Sequence, residues 1–268
     1  MTAQKSVALS AALEVAHDLA DLSAKAILPQ FRKAIAVEDK GGAAGFDPVT
    51  AADKAAERVI RRALAQRFPD HGIVGEEFAA RDGAGRYRWI IDPIDGTKAF
   101  VMGLPTWGTL IGLTDGGRPL LGLMNQPYVG ERFWGSGGSA HVRGAQGRTR
   151  RLRTRACPRL GDAILSATTP AMFKPGHERA AFDRLSSQCR MTRFGSDCYA
   201  YCLLAAGLVD LVVESGLKTV DIAPLIPIIE GAGGVVTDWT GGPAVAGGRV
   251  VAAGDARLHR RALDSLAG

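Results

Sequence analysis

The six residues Asp92-Pro93-Ile94-Asp95-Gly96-Thr97 constrain this chain more than any other stretch. The run Arg88-Trp89-Ile90-Ile91 reads as a strand, and Pro93, with no N–H for a ladder, predicts that it ends at Asp92. Gly96 permits a sharp turn, and Thr97 suits the cap of a helix starting beyond it. On a straight strand Asp92 and Asp95 would face opposite ways. A turn forced by Pro93 and Gly96 would bring them together at the strand's C-terminal end. Other acids also fall at strand ends or in the turns after them: Asp47, Glu76, Glu77 and Asp221. Carboxylates gathered in this way repel one another unless cations neutralise them. With no His or Cys alongside, the donors are hard oxygens, which suit Mg²⁺ or Mn²⁺ better than Zn²⁺. The segment is not an EF-hand loop, because Pro93 does not fit one and position 103 is Gly rather than Glu. It also lacks the D-x-D spacing of aspartyl-phosphate phosphatases.

Residues 6–35 read as one long amphipathic helix on Leu9, Leu13, Ala16, Leu19, Ala20 and Ile27. Glu14, His17, Asp18 and Asp21 interrupt its apolar stripe, so it is neither a membrane span nor a signal peptide. A Gly-rich loop follows at 41–45. Thr50 and Asp53 have capping-box spacing at the head of a second helix, which Phe68-Pro69-Asp70 should stop near Arg67. Ile73-Val74 is a short strand. Hairpins are predicted from 110–113 to 120–123 and from 131–134 to 139–142. Beyond residue 150, strands at 163–166, 190–194, 211–213, 234–237 and 249–253 alternate with helices at 177–189, 197–206 and 222–232. The chain is thus expected to be a single catalytic unit, 1–268, with sub-domains of about 1–150 and 151–268.

With 46% hydrophobic and 22% charged residues, the chain can bury a full core. The net charge of +6 favours anionic partners. Much of it sits in Arg148, Arg150, Arg151, Arg153 and Arg155, whose alternation reads as a solvated edge strand. No aromatic residues interleave with them, which argues against a nucleic-acid stacking surface. The four cysteines form no C-x-x-C pair and read as reduced, packed thiols of a cytoplasmic protein.

Four stretches then carry a resemblance: Asp47-Pro-Val-Thr50-x-x-Asp53, Gly75-Glu76-Glu77, Asp92-Pro-Ile-Asp-Gly-Thr97 with Phe100, and Asp221-Ile-Ala223. In order and spacing they resemble the inositol monophosphatase-like family over nearly the whole chain. The resemblance implies an α+β fold, the layered αβαβα sandwich of the inositol monophosphatase/fructose-1,6-bisphosphatase type. It implies a homodimer that hydrolyses a small phosphorylated metabolite with Mg²⁺, about two or three ions per site, with Li⁺ inhibition expected. It also implies no nucleic-acid or membrane partner. Carried over, Glu76, Asp92 and the Ile94 carbonyl would hold the first metal, and Asp92, Asp95 and Asp221 the second. Thr97 with Glu76 would orient and deprotonate the attacking water. Asp47 would sit near Thr97 or reach a third metal through water. The backbone N–H groups around Gly96 and Thr97 would take the phosphate.

In that family the leaving-group pocket is formed by the stretches reading here Arg193-Phe-Gly-Ser-Asp197-Cys-Tyr199 and Glu214-Ser-Gly-Leu-Lys-Thr-Val-Asp221. Inositol phosphatases generally carry a small residue where Asp197 stands. An added carboxylate beside an acidic site is costly unless something positive binds there, and an amine-bearing alcohol would supply the charge. Together with Trp107–Leu113 and Met124–Tyr128, these stretches look like the histidinol-phosphatase branch. Arg193, Asp197 and Glu214 are therefore expected at the substrate, although Asp197 also stands where a helix N-cap would. Val220 and Pro224 depart from the family pattern beside Asp221, and Lys98 adds a charge beside Thr97. Other readings are a broad inositol or sugar phosphatase, or a nucleic-acid-binding regulator with a relic site.

Overall fold

The computed structural model describes residues 2–34, 36–39 and 48–268, with residues 2–8 as backbone alone. Helix α1 (Thr2–Ile27) runs into a 3₁₀ turn at Leu28–Gln30. It stops short of the expected residue 35 because Pro29 has no N–H to donate and disfavours helical backbone before it. The Gly-rich loop expected at 41–45 lies outside the described residues. A short ribbon, β1 (Val37–Asp39) against β2 (Pro48–Thr50), leads into α2 (Ala51–Arg67). The Thr50–Asp53 capping box is present, with Thr50 N donating to Asp53 Oδ2 at 2.8 Å.

Seven strands form one sheet in chain order: β3 (Gly72–Gly75), β4 (Tyr87–Asp95), β5 (Gly108–Asp115), β6 (Arg118–Gln126), β7 (Glu131–Ser136), β8 (Ser139–Arg143) and β9 (Thr149–Arg151). Helix α3 (Thr97–Met102) joins β4 to β5. A second sheet has the order β11-β10-β12-β14-β13. Its strands are β10 (Ile164–Ala167), β11 (Met191–Phe194), β12 (Leu211–Leu217), β13 (Val235–Asp238) and β14 (Gly248–Ala253). The helices of this half are α4 (His177–Gln188), α5 (Asp197–Ala205), α6 (Thr219–Ile222), α7 (Ile226–Gly231) and α8 (Ala256–Ala267).

Side-chain alternation sorts these elements into five layers. Ile111, Leu113, Leu121 and Leu123 point from the large sheet onto α1 and α2, meeting Ala16, Leu19, Ile60 and Leu64. Leu110, Met124 and Phe133 point the other way, onto α5 and α7 through Tyr201, Leu204, Ile228 and Ile229. Val212, Val250 and Ala252 of the small sheet close the same core from beyond. Leu211, Val213 and Val251 face α4 and α8 through Phe182, Leu185, Leu258 and Ala262. The result is the layered αβαβα arrangement.

The helix expected over 222–232 is broken into α6 and α7, since Pro224 cannot donate in its middle. Pro224 and Pro227, the latter inside α7, meet a row of glycines. Gly112, Gly122 and Gly135 are register partners across β5, β6 and β7. A Cβ on Gly122 would overlap the Pro224 carbonyl, and one on Gly135 the Pro227 carbonyl. Pro224 thus seats the α6–α7 layer on the sheet and is not among the residues lining the cavity beside Asp221. Helix α8 is absent from the sequence-based expectation. Asp255 caps it, with Oδ1 accepting from Arg257 N at 2.8 Å, and Leu258, Ala262 and Leu266 bury one stripe.

The edge strand expected for the arginine cluster is shorter than its alternation predicts: Thr149–Arg151 are exposed in β9, paired with β8 at the end of the sheet, while Arg153 and Arg155 lie beyond the strand. Arg155 instead grips both carboxylate oxygens of Asp210, at 2.7 and 2.6 Å. All four cysteines are free thiols. Among the described residues, no helix is long and apolar enough to cross a membrane.

The glycine row carries a stability prediction. Gly122→Ala should destabilise at the upper end of the roughly 1–3 kcal/mol typical of overpacking, because backbone must shift to admit the methyl. A Cβ on Gly144 meets nothing within 4 Å, so Gly144→Ala should stay within about 0.5 kcal/mol. Urea midpoints at unchanged slope measure both.

Candidate active site

Strand β4 runs past its expected end at Asp92 and rejoins the ladder at Asp95. Its register to β5 pairs Asp92 with Leu110 and Asp95 with Gly108, so one extra residue lies on the β4 side. That bulge turns Asp95 onto the face Asp92 already occupies. Pro93 costs the ladder an N–H, but its carbonyl is used: Thr109 Oγ1 donates to it at 2.8 Å. Asp92 Oδ1 accepts from Ile94 N at 3.0 Å, and Thr97 Oγ1 donates to the Ile94 carbonyl at 3.0 Å. Between them Gly96 is left-handed, with φ of 83°. A Cβ there would lie 3.0 Å from that of Asp197 and 3.2 Å from the Trp107 Cα, so only glycine fits this turn.

The second half supplies the remaining groups. At the start of α5, Cys198 N donates to Asp95 Oδ2 at 2.8 Å. At the start of α6, Lys218 N donates to Asp221 Oδ2 at 2.6 Å. Asp92, Asp95 and Asp221 then present oxygens within 4.8 Å of one another. Burial pushes the Asp92 carboxyl well above the usual carboxylate range, helped by the charges of Glu76, Asp95 and Asp221. Asp95 is raised in the same way, by burial and then by Asp221 and Asp197. Such a triad of hard, mutually repelling oxygens fits a divalent cation by its chemistry. Asp53 beside it keeps a buried oxygen, Oδ1, without a protein partner.

Glu76 stands outside that triad, at the end of β3. Lys218 Nζ donates to its Oε1 at 3.0 Å. Its placement depends on Glu57, which the sequence reading did not single out. Fully buried on α2, Glu57 accepts from Glu77 N at 2.7 Å and from Arg61 Nε at 2.6 Å. A Cβ on Gly75 would collide with Glu57, so this glycine lets the Gly75-Glu76-Glu77 turn close onto the carboxylate. Its signal was legible: an acid inside the buried stripe Ala52, Ala56, Ile60, Leu64. Asp47 lies outside the described residues.

Next to the triad is a cavity of about 110 Å³, lined in part by Asp95, Asp197, Glu214 and Asp221. Asp197 opens α5 but does not cap it, since Ser196 holds the cap position and makes no side-chain cap bond. Its φ of 44° is left-handed, a conformation costing a non-glycine residue about 1–3 kcal/mol. Asp197 Oδ2 lies 3.4 Å from Thr106 Oγ1. Burial raises its carboxyl to about 6 despite the Thr106 bond and the positive charge of Lys98. Glu214 is buried on β12 and raised to about 7, again by burial. Arg193 is not brought in: it is exposed on β11, the outer strand of its sheet, and does not line the cavity. Val220 packs against Ile90 and Ala223, away from it.

Residues 8–267 match the inositol monophosphatase family. The chain belongs to that family. It is 43% identical over 263 residues to the chloroplastic bifunctional phosphatase IMPL2 of Arabidopsis thaliana, covering 94% of this chain and 74% of that one. It is 36% identical over 264 residues to the histidinol-phosphatase of Streptomyces coelicolor, covering 95% and 96%. An inositol monophosphatase structure from Zymomonas mobilis superposes with a TM-score of 0.83 at 41% identity, over 97% of this chain and 99% of that one. Inositol monophosphatase family members are metal-dependent phosphatases, and the acidic triad lies where the family motif and the fold converge.

The triad should bind Mn²⁺ measurably by electron paramagnetic resonance, and saturation at about 100 times Kd should stabilise the fold by about 2.7 kcal/mol. Asp92→Asn should weaken binding at least about tenfold and remove most of the metal-induced rise in Tm. An unchanged Mn²⁺ affinity would rule out the triad as the metal centre.

Proposed function

We propose that this family member hydrolyses L-histidinol phosphate to L-histidinol and phosphate with Mg²⁺, as a step of histidine biosynthesis. The observation that carries this reading is the pairing of Asp197 and Glu214 in one small cavity beside the acidic triad. Two raised carboxylates there are an unfavourable arrangement for a neutral polyol and a favourable one for an alcohol bearing an ammonium and an imidazole. The histidinol-phosphatases among the relatives support the same substrate. The Zymomonas mobilis structure favours inositol phosphates as the rival.

In this mechanism Glu76, Asp92, Asp95 and Asp221, with the Ile94 carbonyl, would hold Mg²⁺. Bound there, Mg²⁺ would offset the phosphate charge and lower the pKa of a bound water. Thr97 orients the attacking water through its hydroxyl, which the Ile94 carbonyl fixes at 3.0 Å. Glu76 accepts the water proton, with Lys218 and Glu57 keeping its turn in place. The N–H groups of Gly96 and Thr97 bind the phosphate oxygens. Asp197 and Glu214 hold the amino alcohol, so the scissile P–O bond is positioned from both ends.

Phosphate release from histidinol phosphate should exceed that from inositol 1-phosphate in kcat/KM; the reverse order would overturn the assignment. Asp197→Ala should cost histidinol phosphate at least about tenfold more than it costs a neutral-alcohol ester. The preference should also depend on pH. Asp197 near 6 and Glu214 near 7 are protonated, and so uncharged, on the acid side of those values. A cationic alcohol binds their ionised forms. The ratio of kcat/KM for histidinol phosphate to that for glycerol 2-phosphate should therefore rise between about pH 5 and about pH 8. Taking the ratio cancels the phosphate's own titration.

A further inference from the structure

Glu214 is held by three hydrogen bonds. Its Oε1 accepts from Thr168 N at 2.9 Å and from Thr168 Oγ1 at 2.6 Å, while Oε2 accepts from Tyr201 OH at 3.0 Å. A carboxylate offers about four acceptor positions, so a single one remains, on Oε2. Both partners are themselves fixed. Thr168 follows β10, and its carbonyl accepts from Gly195 N at 2.9 Å, tying the Thr168 turn to the loop ahead of α5. Tyr201 is buried on α5, and burial raises its hydroxyl well above the usual phenol value, so it stays a donor. Thr168, Tyr201 and Glu214 all line the cavity, alongside the apolar Met172, Leu217 and Leu225.

Resting on the substrate class proposed above, we infer that Tyr201 and Thr168 are positioning residues that set selectivity for cationic leaving groups. By filling three acceptor positions of Glu214 they hold its carboxylate in one orientation and leave one position for a single N–H from the ligand. A polyol hydroxyl could use that position too, but only a cation gains from the fixed negative charge in a site shielded by apolar walls. Neither residue is among the groups assigned above to the metal or to the phosphate. Their removal should thus weaken recognition of the alcohol and leave the chemical step intact.

The test compares steady-state kinetics of the full chain on histidinol phosphate and on glycerol 2-phosphate, with calorimetric binding of histidinol as a readout independent of turnover. Tyr201→Phe keeps the ring and removes the donor. It should raise KM for histidinol phosphate and the histidinol Kd about tenfold, with kcat within about twofold, and leave both constants for glycerol 2-phosphate unchanged. Thr168→Val should act in the same direction, and Thr168→Ser, which keeps both donors, should restore wild-type KM. Equal losses on both esters, or none, would overturn the positioning role while the wild-type preference for histidinol phosphate stands. A wild-type enzyme with no such preference would overturn the substrate assignment and this inference with it.

Discussion

One extra residue in β4, between Asp92 and Asp95, decides where this protein can gather charge. Without the bulge the two carboxylates would lie on opposite faces of the sheet, one of them among the apolar side chains under α1 and α2. With it they share the face toward the second half of the chain. There α5 and α6 approach end-on and add Asp221 and the Cys198 N–H. Every later feature of the site follows from that choice of face. The helices that serve it sit on that side, the cavity opens beside it, and Glu76 reaches it from the neighbouring strand.

For α6 and α7 to arrive there, the middle layer must lie close to the large sheet. Side chains at Gly122 and Gly135 would hold it away, because the Pro224 and Pro227 backbone passes where their Cβ atoms would be, and one at Gly112 would press on the Pro224 Cα at 3.2 Å. The glycine row and the prolines are therefore two halves of one contact. It explains why a proline next to a metal-motif residue leaves Asp221 in place. The proline breaks a helix that was not needed whole, and its ring and carbonyl fill a groove prepared across three strands.

Much of this was legible in the sequence. Periodicity placed α2, the hairpins and the strands of the second half, because those elements bury one face and alternate accordingly. The Thr50–Asp53 box marked a helix start by local hydrogen bonding alone. What periodicity could not show was register. Pro93 predicts a strand terminus, yet the chain accommodates it as a bulge, with Thr109 satisfying the Pro93 carbonyl from the next strand. Thr109 lies sixteen residues away, and no window along the chain would pair the two. Likewise Arg193, next to the substrate stretch in sequence, projects from an outer strand, while Thr168 and Tyr201 converge on Glu214 across 46 and 13 residues. Helix α8 was overlooked although Asp255 and its Leu258-Ala262-Leu266 stripe announce it.

The site holds two tiers of acid, and the physics of each requires a different partner. Asp92, Asp95 and Asp221 converge so tightly that only a small, multiply charged ion can relieve them, and such an ion can remain through turnover. Asp197 and Glu214 line one cavity with Asp95 and Asp221, and burial raises both toward neutrality, with the Asp197 charge adding to the effect on Glu214. On the proposed substrate their compensating charge enters and leaves with the alcohol, so the second tier can discriminate between alcohols in a way the first cannot. The strain at Asp197, with its left-handed backbone, fits that division. A residue needed only to start a helix would not be held in such a conformation, and its side chain makes no cap bond. On that substrate, selectivity arises from the cost of leaving the ionised carboxylates uncompensated beside a neutral alcohol.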